Sequence, residues 1–380
     1  NQVRYQNVVI GTFVEGTASN PFVLTFNSSA TVAAVRAAIH SIYFITTSDT
    51  PSTARRTITF VVDDGQGGTS DPAVATKYVD VVPVNDAPVL TMSGSLTYTE
   101  NDPPVTLDPN ATVSDVDSAN FAGGRLTVVP TDDFSAADRV RVRNTGSGAG
   151  QIGLVGGDVT YGGATIGKVS GGWGTTPLVV VFNANATPGA AQALARSLTF
   201  EAVGDDPRAA IRRMWVQITD GSGGRSTPRD LSVSVAAVED PLVLSGGGTV
   251  GYRLGAPPVV LLPHATALDP DNTYIVNAVL TVHSEGADPG DVIGLGGQFA
   301  LSNDKVLFAG TVIGQRSTNS SGDWLVTFNP EANRAILQAL LRSLTFTATA
   351  NPGNRVLSLS VTDGASVTSN TLTKMVQVVA

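Results

Sequence analysis

The stretch PVNDAPVLTMSGSLTYTENDPPVTLDPNATVSDVD, from Pro83 to Asp117, carries the pattern on which the rest of the chain turns. It opens on a proline-bounded junction, Val84-Asn85-Asp86-Ala87-Pro88. A strand-like run then reaches Glu100 and, fifteen residues later, the pair Asp115-Val116-Asp117. The period of two in an extended segment puts Asp115 and Asp117 on the same side. Two carboxylates so placed repel unless something cationic sits between them. Oxygen ligands gathered beside a junction suit a hard cation, and calcium takes about six to eight of them. Solvated turn acids are the competing reading.

Outward from this stretch, the chain repeats itself. Phe26-Asn27 recurs as Phe182-Asn183 and Phe328-Asn329, and Asp64-Gly65 recurs as Asp220-Gly221 and Asp363-Gly364. Val9-Ile10-Gly11 matches Thr165-Ile166-Gly167 and Val312-Ile313-Gly314. The pairs Asp269/Asp271 and Glu239/Asp240 repeat the acids of the opening stretch. Such periodicity implies tandem copies of one unit. The expected boundaries are 1–84 for the C-terminal part of an incomplete module, with whole modules at 85–238 and 239–380.

Before each Asp-Gly turn the residues alternate. Ile58, Phe60 and Val62 share a face, as do Met214, Val216 and Ile218, and Leu357, Leu359 and Val361. That alternation predicts half-buried antiparallel strands, and Asp-Gly predicts a hairpin turn. Further strands are expected at 22–26, 178–182 and 324–328. One short helix per copy is expected, over 31–39, 188–196 and 331–342, with apolar residues at helical spacing. About three turns cannot stand alone, so each helix should cap its sandwich.

Composition agrees with an all-β chain. Gly and Pro are plentiful, aromatic residues make up 6% and charged residues 14% of the 380 residues. The net charge of −9, with no basic run, argues against a nucleic-acid partner. Cysteine is absent, which removes thiol catalysis and Cys-based zinc sites. No apolar run reaches the length of a membrane span. Asn1 reads as a cut or processed start inside a longer protein.

The copies resemble cadherin-type repeats, specifically the long, helix-containing cadherin-like modules of large bacterial surface proteins. The residues that carry the resemblance are Asn85-Asp86-Ala87-Pro88, Glu100, Asp115-X-Asp117 and Thr219-Asp220-Gly221. It implies an all-β tandem of Ig-like, Greek-key sandwiches with calcium at the junctions. By that resemblance the first junction would use Asn85, Asp86, Asp115, Asp117 and Asp220. The second would use Glu100, Glu239, Asp240, Asp269, Asp271 and Asp363. Two departures stand out. Leu254 takes the place of Glu100 in the last copy, so no such joint is expected below it, and the Leu-Asp-Arg-Glu motif of animal cadherins has no match.

Enzyme signatures are missing: there is no Gly-X-Ser-X-Gly, no His-Glu-X-X-His and no P-loop. His40, His264 and His283 stand at no metal-ligand spacing. The resulting expectation is a calcium-stiffened, extracellular adhesive or structural segment of a cell-surface protein, and not an enzyme. Its partners would be neighbouring modules or a homotypic assembly. Two alternatives stay open. One is a filament or surface-layer subunit whose incomplete first module a neighbouring chain completes. The other is a carbohydrate-binding module for cell-surface or matrix glycans, for which Trp173, Trp215 and Trp324 are the tryptophans available.

Overall fold

The computed structural model describes residues 1–17, 19–71 and 75–380. They form two compact units, Asn1–Asp86 and Ala87–Ala380. The fold is all-β, with one short helix in each copy of the repeat. Among the described residues no helix is long and apolar enough to cross a membrane.

In the second unit the alternation of the sequence becomes the inner face of each sheet. Met214, Val216 and Ile218 are buried to within 1%, and Leu357, Leu359 and Val361 completely. The second repeat has an eight-stranded sheet in the order Ile152–Val155, Asp158–Tyr161, Ala164–Ser170, Leu178–Phe182, Arg125–Asp132, Ile211–Thr219, Arg229–Ala236, Ser95–Thr99. A three-stranded sheet of Asp138–Val142, Leu198–Ala202 and Val105–Thr106 accompanies it. The third repeat has the same two sheets, built from its own strands. One core draws on residues from Leu90 to Val235, the other on residues from Leu242 to Val378.

Pairing in both large sheets is antiparallel except at one edge. There Ser95–Thr99 runs parallel to Arg229–Ala236, and Gly248–Arg253 parallel to Leu372–Val379. The parallel edge sends the end of each first strand to the end of the last strand.

The recurring residues have local structural reasons. Each Asn of the Phe-Asn pairs is a bracket. The side-chain amides of Asn27, Asn183 and Asn329 donate to the carbonyls of Val9, Thr165 and Val312 at 2.8–3.0 Å. Their side-chain oxygens accept from the N–H two residues on. Gly11, Gly167 and Gly314 lie where a Cβ would come within 2.2–2.5 Å of a neighbouring strand's carbonyl oxygen, so any side chain would prise the strands apart. Helices α1 (Val32–His40), α2 (Pro188–Arg196) and α3 (Arg334–Ser343) begin where Thr31, Thr187 and Asn333 accept from the N–H three residues later. Asn333 therefore starts α3 three residues after the expected position. Leu194 of α2 and Leu337, Leu340 and Leu341 of α3 are fully buried, so these helices are held by packing.

A buried ion pair also recurs. Arg212 and Asp138 are both 0% exposed, and Nε of Arg212 donates to Asp138 Oδ2 at 2.9 Å. Arg355 occupies the same place in the third repeat, donating to Asp291 at 2.6 Å and to Asp288 at 2.5 Å. The counterpart in the first unit, Arg56, donates to the carbonyls of Ser52 and Ala54, as Arg212 does to those of Arg208 and Ala210.

In the first unit the strands Val23–Phe26 and Arg56–Thr59 lie in separate sheets. Their counterparts, Leu178–Phe182 and Ile211–Thr219, both pair with Arg125–Asp132 between them. Phe44 and Val62 are 42% and 37% exposed, whereas the matching Phe200 and Ile218 are fully buried.

Removing one partner of a buried pair leaves the other charge uncompensated. Urea unfolding of Asp138→Ala should show a loss of about 3–5 kcal/mol. Asp133→Ala, which breaks the solvent-exposed pair with Arg208, should cost under about 1 kcal/mol. Equal small losses would mean that the inner pair contributes no more than a surface one.

Candidate metal centre

Glu100 sits where the parallel edge delivers it. Its N–H donates to the carbonyl of Ala236 at 2.9 Å, the end of the repeat's last strand, and the N–H of Val238 donates to its Oε2 at 2.8 Å. The side chain is thereby locked onto the linker that leads to the third repeat. Glu100 is only 3% exposed, and its Oε1 is buried without a hydrogen-bond partner. Two residues beyond Val238, the N–H of Asp240 donates to Asp271 Oδ2 at 2.5 Å. Carboxylate oxygens of Glu100, Asp240 and Asp271 all lie within 4.8 Å of one another.

Asp269 holds this group from below. Its Oδ1 accepts from the N–H groups of Asp271 at 3.1 Å and Asn272 at 2.8 Å, and Asn272 in turn donates to Glu239. Asp269 is 2% exposed. Its first task is thus to shape the turn that presents Asp271. Asp363 also divides its labour. Oδ1 accepts from Ala365 at 2.9 Å and Val367 at 2.8 Å, closing the turn, while Oδ2 is buried without a partner. Asp64 and Asp220 close their turns through the same two bonds.

Like charges and burial dominate the electrostatics. Burial pushes the Glu100 carboxyl above its ordinary range, the Val238 N–H opposes this, and Asp240, Asp271 and Asp205 add to the rise. Burial likewise raises Glu239, helped by Asp271, Asp363 and Asp269. Asp271 is raised by burial first, against its bond from Asp240 N–H, and then by Asp240, Asp206 and Asp269. The residues expected at the second junction therefore gather in one field: Glu100, Asp240 and Asp271 within ligand distance of one another, Asp269 acting on Asp271, and Asp271, Asp363 and Asp269 acting on Glu239. Carboxylates in this number, with orphaned oxygens, suit a hard divalent cation.

Of the residues expected at the first junction, Asn85 and Asp86 belong to the first unit, where the Asn85 amide donates to the Asp86 carbonyl at 2.9 Å. Asp115, Asp117 and Asp220 belong to the second. Asp115 Oδ1 accepts from Asp117 at 3.2 Å and Ser118 at 2.9 Å, repeating the turn of Asp269, and its Oδ2 is buried without a partner. Burial raises its pKa, and Asp117 contributes to the rise. Leu254, in place of Glu100, packs against the core of the third repeat.

Asp205 and Asp206, which add to the rise of Glu100 and Asp271, lie outside the recurring acid pairs. A signal was present: Asp49 and Pro51 stand 156 residues before Asp205 and Pro207. Of the tryptophans, Trp324 is buried in the third repeat's core, Trp215 is half-buried and Trp173 is exposed.

No family model matches the sequence, and no curated protein does. Solved structures similar to the chain include the extracellular cadherin domains 1–5 of protocadherin gamma B2, at 14% identity and a TM-score of 0.25, covering 86% of this chain and 45% of that one. Domains 3–6 of the same protein give 14% identity and a TM-score of 0.26, covering 97% of this chain and 65% of that one. Mouse cadherin-23 EC22–24 gives 12% and 0.26, covering 82% and 72%. The chain thus spans less than two thirds of these two protocadherin gamma B2 chains. Likenesses at such TM-scores do not establish a fold; the strand order and the two cores do.

The raised carboxyls set a pH dependence. A group whose folded pKa lies above its unfolded value binds more protons when folded, so stability falls as pH rises. In chelator, melting of the chain should therefore move to higher temperature as pH falls from 7 through the raised pKa values of Glu100, Glu239 and Asp271. The gain should be complete near ordinary carboxylate values of about 4. Glu100→Gln should flatten this slope, and an unchanged slope would show that Glu100 titrates normally.

Proposed function

We propose that the second and third repeats form a calcium-braced joint in an extracellular structural or adhesive segment. The observation that carries this reading is the convergence of carboxylate oxygens of Glu100, Asp240 and Asp271 within 4.8 Å of one another, with one oxygen of Glu100 buried and unpartnered. Glu100 comes from the second repeat, Asp240 from the linker and Asp271 from the third. A cation there ties three segments that otherwise repel. Supplied at this place, calcium contributes positive charge and a preference for several oxygens. The chain's part is to hold Glu100 by the Val238 N–H, to present Asp271 through the Asp269 turn, and to keep Asp240 between them. Repetition of the acid pair makes the same chemistry the natural role of Asp115, Asp117 and Asp220 within the second unit. A place at a bacterial cell surface follows from the resemblance of the repeats.

One observation favours a second reading. The first unit has no counterpart of Arg125–Asp132 among its described residues, and no carboxylate there pairs with Arg56. Its sheet edges and exposed Phe44 would accept a further strand, and one supplied by a second copy of the chain would build a self-assembling filament or surface layer. Electron microscopy of the purified chain tests this: filaments support it, and isolated particles at every concentration sink it.

Calcium should raise the melting temperature, and chelation should broaden small-angle scattering toward flexible shapes. Glu100→Gln combined with Asp271→Asn should remove most of the calcium-dependent rise, and Asp115→Ala with Asp117→Ala should remove a separate share. Identical melting and scattering with calcium and with chelator would remove the calcium reading.

A further inference from the structure

The outer face of the large sheet differs between the second and third repeats. In Ile211–Thr219 the period of two that buries Met214 and Val216 turns Arg213 and Trp215 outward. In Arg229–Ala236 it buries Leu231 and Val233 and turns Asp230 and Ser232 to the same side. The register sets Trp215 directly opposite Asp230 and Arg213 directly opposite Ser232. At that spacing cross-strand side chains are neighbours.

A cleft of about 320 Å³ opens here, its lining including Gly94, Thr131, Arg213, Asp230 and Ser232. Two features of the backbone shape it. The pairing of Arg125–Asp132 with Ile211–Thr219 skips from Pro130 to Asp132, so Thr131 is a bulge, and bulges re-aim side chains. Gly94, whose carbonyl accepts from the N–H of Ser232 at 3.2 Å, brings no side chain to the sheet's edge. The polar groups around the cleft are uncommitted. Among the described residues, neither the guanidinium of Arg213 nor the carboxylate of Asp230 has a hydrogen-bond or ion-pair partner, and the indole N–H of Trp215 donates to no protein group. Trp215 is half-buried, which leaves part of its ring to solvent.

The sheet does not need this set. In the third repeat Val356 pairs with Met375 and Ser358 with Thr373 in the places of Arg213 with Ser232 and Trp215 with Asp230. The third repeat's Val279–Glu285 pairs with its neighbour without a bulge. The first unit has Thr57 with Tyr78 and Thr59 with Thr76 in the same register. Sheet formation therefore accounts for none of Arg213, Trp215, Asp230 or the Thr131 bulge. A donor and an acceptor that do not satisfy each other, beside an indole ring, suit a ligand with hydroxyls on its edge and C–H groups on its face. An anion would meet Asp230 and a cation Arg213, whereas a neutral polyol uses both. The cleft lies at the lower end of ligand-site volumes, which start near about 300 Å³, and so fits a short saccharide.

We propose that this cleft binds a neutral saccharide, one pyranose ring lying against Trp215 with hydroxyls that donate to Asp230 and accept from Arg213. The site shares no residue with the metal centre. It gives the second repeat a ligand-binding role for which the third repeat has no matching residues.

An array of neutral and sialylated oligosaccharides probed with the full chain tests it, followed by calorimetric titration with the neutral oligosaccharide retained best. Trp215→Ala and the double variant Arg213→Ala/Asp230→Ala should each weaken that binding by about tenfold or more, through loss of stacking and of the paired hydrogen bonds. Trp215→Phe, which keeps a ring, should recover part of the loss, and Trp173→Ala should bind like the unaltered chain. The double variant alters two exposed residues, so it decides the matter even if Trp215→Ala fails to fold. No retention of any neutral oligosaccharide, or undiminished affinity in the double variant, would overturn the cleft. Binding lost in Trp173→Ala and kept in Trp215→Phe and the double variant would also overturn it, by moving the site to the loop of Trp173. Retention of sialylated oligosaccharides alone would do the same, since Asp230 opposes an anion. Each of these outcomes leaves the calcium reading untouched.

Discussion

Repulsion among carboxylates that the fold itself brings together is the constraint on which this joint depends. Glu100 is fixed by a backbone bond and cannot swing into water, and Asp271 is held by the N–H of Asp240. Neither can relieve the other by moving. At a separation of about 4 Å such charges cost about 1 kcal/mol in water and several times more near a low-dielectric interior. The folded chain therefore carries an unfavourable charge cluster that protonation or a cation can relieve.

The fold spends two of its features on assembling that cluster. The parallel edge between Ser95–Thr99 and Arg229–Ala236 brings Glu100 to the outgoing linker. The Asp269 turn gives the third repeat its Asp271 at the same place. Loss of either would separate the acids and remove the reason for a cation. The third repeat keeps the parallel edge but ends it in Leu254. The geometry thus recurs without the charge, which separates what folds the module from what joins it.

Much of this was legible in the residues. Period-two runs before the Asp-Gly turns, the helix at 188–196 and the strands near 178–182 and 324–328 were readable because alternation and caps act locally. Glu100 entered only through the resemblance to cadherin-type repeats, while the approach of Asp240 to Asp271 was legible in the acid pair that recurs about thirty residues after a junction acid. The dual role of Asp363 was not, since one oxygen's backbone bonds and the other's isolation appear only in three dimensions. The start of α3 was misplaced because Asn333, not the earlier Glu331, caps it. Arg212 and Asp138 are 74 residues apart, and no local pattern pairs them. Asp205 and Asp206 lie in a loop that is three residues shorter in the third repeat, where no carboxylate matches them.

The most direct measurement is anomalous diffraction from crystals of the chain grown with calcium and exchanged with terbium. The account predicts strong anomalous density among Glu100, Asp240 and Asp271, with oxygens of all three bound to the ion. Crystals saturated with the metal that show no ion at this cluster, or a lysine or arginine neutralising it instead, would contradict the central claim.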